Sequence, residues 1–340
     1  MYHYVRNLSR TRYPEIKGLD LPLFREQLAY IRRHYEVIKA QDLISAVKQQ
    51  EEFGAWDLPD NALLLTFDDG YSDHFQNVFP LLDEARIQGS FFPPAKVIRE
   101  RKVLDVNKIH FILASVENKQ SLVGDIFEVL NRYRDEFQLE SNDSYYSKLA
   151  KPSRHDPAET VFIKRALQVA LPSALRETIT TDLFAKYVSS DEAGFAAELY
   201  MSTEQLRCLA RNGMYIGSHG YHHSWLGHLP PEEQAQEVDR SLGFLAELGV
   251  DLEGWIMCYP YGNSNESLLE ILKQRRCAVG LTTRVGIVTN ELEPLLLPRL
   301  DTNDLPKRAD SIPNDWTTKA LNPRIRGDEN QEGHSAVGNL

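Results

Sequence analysis

Two adjacent carboxylates, Asp68 and Asp69, follow the apolar run Ala62-Leu63-Leu64-Leu65-Thr66-Phe67 and precede Gly70. A run apolar on both faces belongs in a buried parallel strand, and parallel α/β architectures gather their chemistry where such strands end. Adjacent acids repel unless something cationic neutralises them. Successive side chains diverge, so one acid could ligate a metal ion while its neighbour faces the water beside that ion. The same residues fit plain turn chemistry, with Asp69-Gly70 in a turn and Asp68 capping the next helix. A second strand-like run ends in Gly217-Ser218-His219-Gly220-Tyr221-His222-His223. The four-residue spacing of His219 and His223 puts two imidazoles on one side of a helical turn, which suits one divalent ion. Two histidines and a carboxylate would leave coordination positions open for water and substrate. A third run, Met257-Cys258-Tyr259-Pro260-Tyr261-Gly262, ends in a turn. Backbone N–H groups exposed there could stabilise an oxyanion, although a rigid turn with two packed tyrosines explains the residues equally well.

The elements that must carry these residues alternate between strand and helix. Strands are predicted over 1–6, 35–38, 62–67, 89–92, 214–218, 255–259 and 278–282. Helices are predicted over 21–34, from 42 to 47, over 73–85 as a crossover, and over 203–212 and 231–249. From about 99 to 200 the chain turns to mixed charge and helical spacing, with a polar stretch at 140–156 that reads as a loop. After 321 it is polar and unpatterned, as in a disordered tail.

Composition narrows the function. The 340 residues carry 38 Lys+Arg against 49 Asp+Glu, a formal charge of −11, with no long basic cluster. That balance argues against nucleic acid or an anionic membrane as partner. Cys208, Cys258 and Cys277 form no C-x-x-C pair, so a metal would have to use histidine and carboxylate. No basic n-region with an apolar h-region opens the chain and no run reaches membrane-span length, which leads to the expectation of a cytoplasmic protein without a membrane span.

Taken together, Thr66-Phe67-Asp68-Asp69-Gly70, the H-x-x-x-H of His219 and His223, and Tyr259-Pro260-Tyr261-Gly262 resemble the motifs of the polysaccharide deacetylase family (carbohydrate esterase family 4, the NodB-homology group). The resemblance covers roughly 1–98 and 200–306. It implies a deformed (β/α) barrel over 1–98 and 200–321, interrupted by a mostly helical insertion or cap at 99–199 and followed by the tail at 322–340. It also implies Asp68 as catalytic base, Asp69, His219 and His223 as metal ligands, and the Tyr261 backbone N–H as an oxyanion donor. Leu297-Pro298-Arg299-Leu300-Asp301 resembles the motif that sets an arginine, here Arg299, beside the base to orient it.

Two departures stand out. Gly220 replaces the usual Ser or Thr after the first histidine, removing a hydroxyl that would order the loop. The usual late histidine acid is missing, since no histidine lies between Thr282 and Leu321. The exopolysaccharide-deacetylase subgroup, with rearranged motifs, supplies the acid from an N-terminal Tyr-His segment that Tyr2-His3-Tyr4 matches. His3 is therefore the candidate acid, and His110 the second choice.

The resemblance implies removal of an N-acyl group, in the first instance N-acetyl, from an amino sugar of a surface-glycan or polysaccharide precursor. One divalent ion would be required, zinc first, with cobalt, nickel or iron as alternatives. Without a secretion signal, a nucleotide- or lipid-linked sugar is the expected substrate. Two rivals are a metal-independent glycosidase using an acid pair and a non-catalytic sugar-binding relative.

Overall fold

A computed structural model describes residues 1–53, 56–153, 156–289 and 292–321. The tail expected at 322–340 lies outside the described residues. The fold is mixed α/β and the described residues divide into two compact units, one built from Met1–Asn7, Gly18–Arg101 and 197–321, the other from Leu8–Lys17 and Lys102–Ala196.

The first unit opens with β1 (Val5–Arg6), β2 (Leu19–Asp20), α1 (Leu21–His34), β3 (Glu36–Val37) and α2 (Ala40–Phe53). It continues with β4 (Ala62–Leu63), β5 (Thr66–Asp68), α3 (Phe79–Ala85), β6 (Ser90–Phe92) and α4 (Ala95–Glu100). The second unit holds α5 (Asp105–Ser115), α6 (Lys119–Tyr133), α7 (Asn142–Leu149), α8 (Ala158–Arg165), α9 (Ser173–Tyr187) and the start of α10 (Glu192–Leu199). The first unit then resumes with α11 (Thr203–Arg211), β7 (Tyr215–Ile216), α12 (Pro231–Glu247), β8 (Trp255–Cys258), α13 (Glu266–Gln274), β9 (Cys277–Leu281) and α14 (Asp315–Leu321).

The ladders are parallel: β1 with β2, β3 with β4, β5 with β6 and β6 with β7, and β8 with β9. Parallel bridges extend them, Tyr2 to Phe67, Ser218 to Met257 and Leu281 to Leu297. Backbone contacts thus run in spatial order from Tyr2 through β5, β6, β7, β8 and β9 to Leu297. Alternation along these strands separates two faces. Tyr2, Phe67, Phe91 and Ile216 join one apolar cluster with residues of α1, α11 and α12, while Phe92, Tyr215, Ile256 and Cys258 join another with residues of α2. Tyr2, Phe67 and Phe91 stack across the ladder, with centroids 5.1 and 5.0 Å apart. Asp68, next to Phe67, therefore falls on the other face, away from that stack.

Three local expectations need correction. The run 62–67 is not one strand. Ala62 and Leu63 pair with β3, and from Leu65, whose carbonyl accepts the Ser90 N–H at 2.8 Å, the ladder passes to β6. Apolar periodicity does not register a change of partner. The crossover at 73–85 begins as a π-helix over His74–Val78, where the Phe79 N–H reaches back to the His74 carbonyl. Pro80 has no N–H for the ordinary four-residue bond at the next position. The polar stretch at 140–156 contains α7, because Ser141 accepts the Ser144 N–H and acts as an N-cap rather than a loop residue.

In the second unit an aromatic cluster of Tyr13, Phe111, Phe184 and Phe195 fills the interior, and the buried Lys108 is paired with Glu192 at 3.2 Å. Among the described residues no helix is long and apolar enough to cross a membrane.

Candidate active site and metal centre

β5 ends on Asp68, whose residue is 2% exposed. Arg299 meets it with a two-pronged contact: Nη1 donates to Oδ1 at 3.0 Å and Nη2 to Oδ2 at 2.8 Å, while Nε donates to the Thr282 carbonyl at 2.9 Å. Asp68 thus faces a buried guanidinium and does not cap a helix. Burial pushes the Asp68 carboxyl up, but Arg299, followed by His219 and His3, outweighs it and holds the group well below the usual carboxylate range. The result is an ionised carboxylate with a fixed aim.

Asp69 and Gly70 both take left-handed backbone, with φ of 70° and 69°. Only glycine fits at 70, because a Cβ there would lie 2.7 Å from Pro93 Cβ. The turn swings the Asp69 side chain toward the histidine loop. Its Oδ2 accepts the Tyr71 hydroxyl at 2.5 Å, while its Oδ1 is buried without a hydrogen-bond partner. Facing that oxygen are His219 Nε2 at 3.5 Å and His223 Nε2 at 3.4 Å. The His219 Nδ1–H donates to the Cys258 carbonyl at 2.7 Å, since a carbonyl can only accept, and this leaves Nε2 as the ring nitrogen turned toward Asp69. The spacings are too long for good hydrogen bonds. They match two ligand atoms that each sit about 2.1 Å from a shared tetrahedral ion, which lie about 3.4 Å apart. Asp69, His219 and His223 therefore form a buried group able to hold a metal ion.

The electrostatics agree with that fit. Burial raises the Asp69 carboxyl, but His219 and His223 outweigh it and hold it well below its ordinary value. Burial lowers His223, favouring the neutral imidazole that a ligand must be. Burial also works against a charged His219, yet the Cys258, Asp69 and Asp68 groups hold it well above the ordinary value, a demand for positive charge that a divalent ion would meet. Tyr71 fixes the second carboxylate oxygen, and loss of such an outer partner typically costs about 10–100-fold in metal affinity. Tyr71→Phe is accordingly expected to weaken divalent-ion binding by about that factor. Competition with a chelator reads it, and equal affinity in both proteins would remove Tyr71 from this role.

The segment from His219 to His223 is not the helical turn that the spacing suggests. It is a loop in which Gly220 and His223 have φ of 70° and 61°, and this brings the two rings to 4.8 Å. The hydroxyl missing at Gly220 is replaced by groups the sequence reading overlooked. Ser218 Oγ accepts the Gly220 N–H at 3.2 Å, and the buried Glu237 of α12 accepts the Tyr221 and His222 N–H groups at 3.1 and 3.0 Å. Glu237 also takes the His222 ring, which turns His222 away from Asp69. The only signal in the sequence was a glutamate among exposed acids of an amphipathic helix.

Tyr261 follows β8 with φ 59° and ψ 9°, and Gly262 follows with φ 67°. Left-handed backbone costs a residue other than glycine roughly 1–2 kcal/mol. Among the described residues such conformations occur at Asp69, His223 and Tyr261, and otherwise at Arg86, Arg101, Gln138 and Arg276, at or shortly after helix ends. Strain away from helix ends thus collects at the motif residues, as it does at sites where geometry is imposed.

His3 extends the same ladder. The Tyr2 N–H donates to the Thr66 carbonyl and the Asp68 N–H to the Tyr2 carbonyl, both at 2.9 Å. The half-buried His3 is close enough for its charge to act on Asp68, Asp69 and His223. Its carbonyl accepts from His74 Nε2 at 2.7 Å. His74 is fully buried, and burial lowers it to about 4. A histidine kept neutral by the fold stabilises it fully above the unfolded value of about 6.5, and the contribution is lost as pH falls from there toward 4. The gap corresponds to roughly 3 kcal/mol. With a chelator present throughout, His74→Gln is expected to lose less stability than wild type between pH 7 and pH 4. Equal losses in denaturant melts would sink this assignment.

His110 sits half-buried on α5 of the second unit, and His228 stacks on Trp225 with centroids 5.6 Å apart. Cys258 is fully buried, and burial raises its thiol, so it is not an activated nucleophile. It is nevertheless part of the site floor, through its carbonyl on His219.

Comparison with known proteins follows the same residues. A family model described as polysaccharide deacetylase matches 56–118 and 180–279, segments that contain Asp68, Asp69, His219, His223 and Tyr261. The chain belongs to the polysaccharide deacetylase family. Among solved structures it is similar to the Streptococcus pyogenes deacetylase PplD in complex with acetate, at TM-score 0.53 and 15% identity over 88% of this chain and 89% of that one. It also resembles IcaB from Ammonifex degensii, at TM-score 0.48 and 18% identity over 83% and 82% of the two chains. A de-N-acetylase from Aggregatibacter actinomycetemcomitans is similar at TM-score 0.47 and 15% identity, over 89% and 95%. No curated protein matches the chain. His3 and Arg299 lie outside the matched segments.

Proposed function

We propose that this chain is a metal-dependent hydrolase that removes an N-acetyl group from an amino sugar of a polysaccharide or surface-glycan precursor. The observation that carries the reading is the buried Asp69 Oδ1 without a hydrogen-bond partner, faced by two imidazole nitrogens, directly beside a carboxylate clamped by Arg299. The parallel contacts from Tyr2 to Leu297 support a deformed (β/α) barrel over 1–98 and 200–321, with 99–199 as its helical insertion.

In this reading Asp69, His219 and His223 hold one divalent ion. Zinc is the first expectation, although nitrogen and oxygen donors also accept cobalt, nickel or iron. The chemistry supplied by such an ion is Lewis acidity and acidification of water. Asp68, kept ionised by Arg299, takes a proton from the attacking water. The Tyr261 backbone N–H donates to the oxyanion that develops on the amide oxygen. His3 gives a proton to the departing amine, which leaves as the C–N bond breaks and acetate forms.

The test compares purified wild type with a His219→Ala/His223→Ala double variant by elemental analysis, then by acetate release from N-acetylated sugars before and after chelation. Near one divalent ion per chain, lost in the variant together with acetate release, is the expected result. An ion retained by the variant, or turnover that survives chelation, would overturn the assignment, the latter in favour of the acid-pair glycosidase. Bound ion without acetate release would favour a sugar-binding protein.

A further inference from the structure

Tyr261 and Gly262 are consecutive left-handed residues for different reasons. At 262 a Cβ would lie 2.2 Å from Thr283 Oγ1 and 2.7 Å from the Thr283 nitrogen, so glycine is required by space as well as by φ. At 261 the chain keeps a tyrosine where glycine would take the same backbone at no cost. Something must offset that strain, and the ring contacts show what does.

The Tyr261 ring lies flat on Trp225, with centroids 4.3 Å apart and planes 5° from parallel. Its edge meets His223 at 4.8 Å, and His223 meets His219 at the same distance. The far end is anchored as well, because the His228 ring is 7° from parallel with the indole and the His228 N–H donates to the Trp225 carbonyl at 2.9 Å. The segment that carries Trp225 is stitched to the one after Tyr261. The Gly227 N–H donates to Asn263 Oδ1 at 2.6 Å, and Asn265 Nδ2 donates to the Gly227 carbonyl at 2.9 Å. A continuous row of rings therefore joins Trp225 to both histidines, and the two loops it spans are tied together by hydrogen bonds.

We propose that Trp225 is a positioning residue: its indole face holds Tyr261 in left-handed backbone and so couples the turn at 260–262 to the loop that carries His219 and His223. The inference rests on the deacetylase reading for its consequence in turnover, but not for its consequence in stability. The ring of Tyr261 acts here through conformation, and its N–H is the group delivered. Coplanar stacking on a neighbouring ring is a stabilising arrangement that opposes the strain at 261, and the Thr283 hydroxyl, which donates to the Tyr261 carbonyl at 3.3 Å, holds the backbone of the same residue.

The test is a double-mutant cycle of Trp225→Ala and Tyr261→Gly, read both in the denaturant midpoint and in acetate release by the metal-loaded protein. Trp225→Ala is expected to lower kcat about tenfold at nearly constant KM and to lower the midpoint. Trp225→Phe, which keeps a flat ring, should recover most of both. In the Tyr261→Gly background, where left-handed backbone needs no support, Trp225→Ala should change neither quantity further. Additive effects of the two substitutions would overturn the proposal. So would a rise in KM at constant kcat, which would make Trp225 a sugar-stacking surface. If wild type releases no acetate, the deacetylase reading fails and the midpoints alone decide whether Trp225 supports Tyr261.

Discussion

Asp68→Asn is expected to lower acetate release by about 10²–10⁴-fold, the range that a positioned general base contributes, while the protein still binds close to one divalent ion per chain. The asparagine fills the same space and can still accept from Arg299, but it cannot take a proton from water. Asp69, His219 and His223 do not depend on it for their mutual spacing, since Asp69 is set by its own turn and by Tyr71. Elemental analysis beside single-turnover acetate release separates the two consequences. Turnover within about tenfold of wild type would show that the proton goes elsewhere, and loss of the ion would show that Asp68 supports the ligands rather than the reaction.

Arg299→Leu has the largest expected effect on stability. The pair it breaks is buried on both sides, with side-chain exposures of 6% and 2%. Removing one member of such a pair typically costs about 3–5 kcal/mol, because the other charge stays buried without compensation. The sign of the pH effect follows. In wild type the Asp68 carboxyl is held below its ordinary value, so its contribution to stability is present above the unfolded carboxyl value and is lost as pH falls. Without Arg299 the upward push of burial loses its main opponent, and the acid limb of the pH–rate profile is expected to move to higher pH. Arg299→Lys restores a charge without the planar two-pronged contact and should recover only part of each loss. A midpoint within about 1 kcal/mol of wild type together with an unmoved acid limb would reduce the contact to an ordinary ion pair.

Much of the scaffold was legible locally. The helix predicted at 21–34 is α1, and the one predicted from 203 begins at the Ser202 capping box of α11. Periodicity and caps are short-range signals, and these elements are decided within a few residues of themselves. Periodicity failed where the local signal was shared by two states, as at 62–67, where one apolar run serves two ladders, and at 140–156, where polar residues cap a helix. At the site, residue types were legible and conformations were not. Spacing suggested a helical turn for His219 and His223, whereas left-handed backbone at Gly220 and His223 brings the rings together. Tyr71, Glu237, His74 and Trp225 carried no motif, because a tyrosine, a helix glutamate, a histidine and a tryptophan have many uses and only their neighbours single one out.

Composition and spacing are enough to put two acids at the end of a buried strand, to put two histidines and a turn at the ends of others, and to set the family motifs in order. Folding adds which oxygen of Asp69 faces the imidazoles, and the two-pronged contact by which Arg299, already set beside Asp68 by the resemblance, grips a carboxylate 231 residues away along the chain. The physical reason is that parallel strands bring their ends together through long crossovers. A site built there joins residues that share no local interaction, and burial, charge pairing and strain at each position depend on partners that the neighbouring sequence does not name.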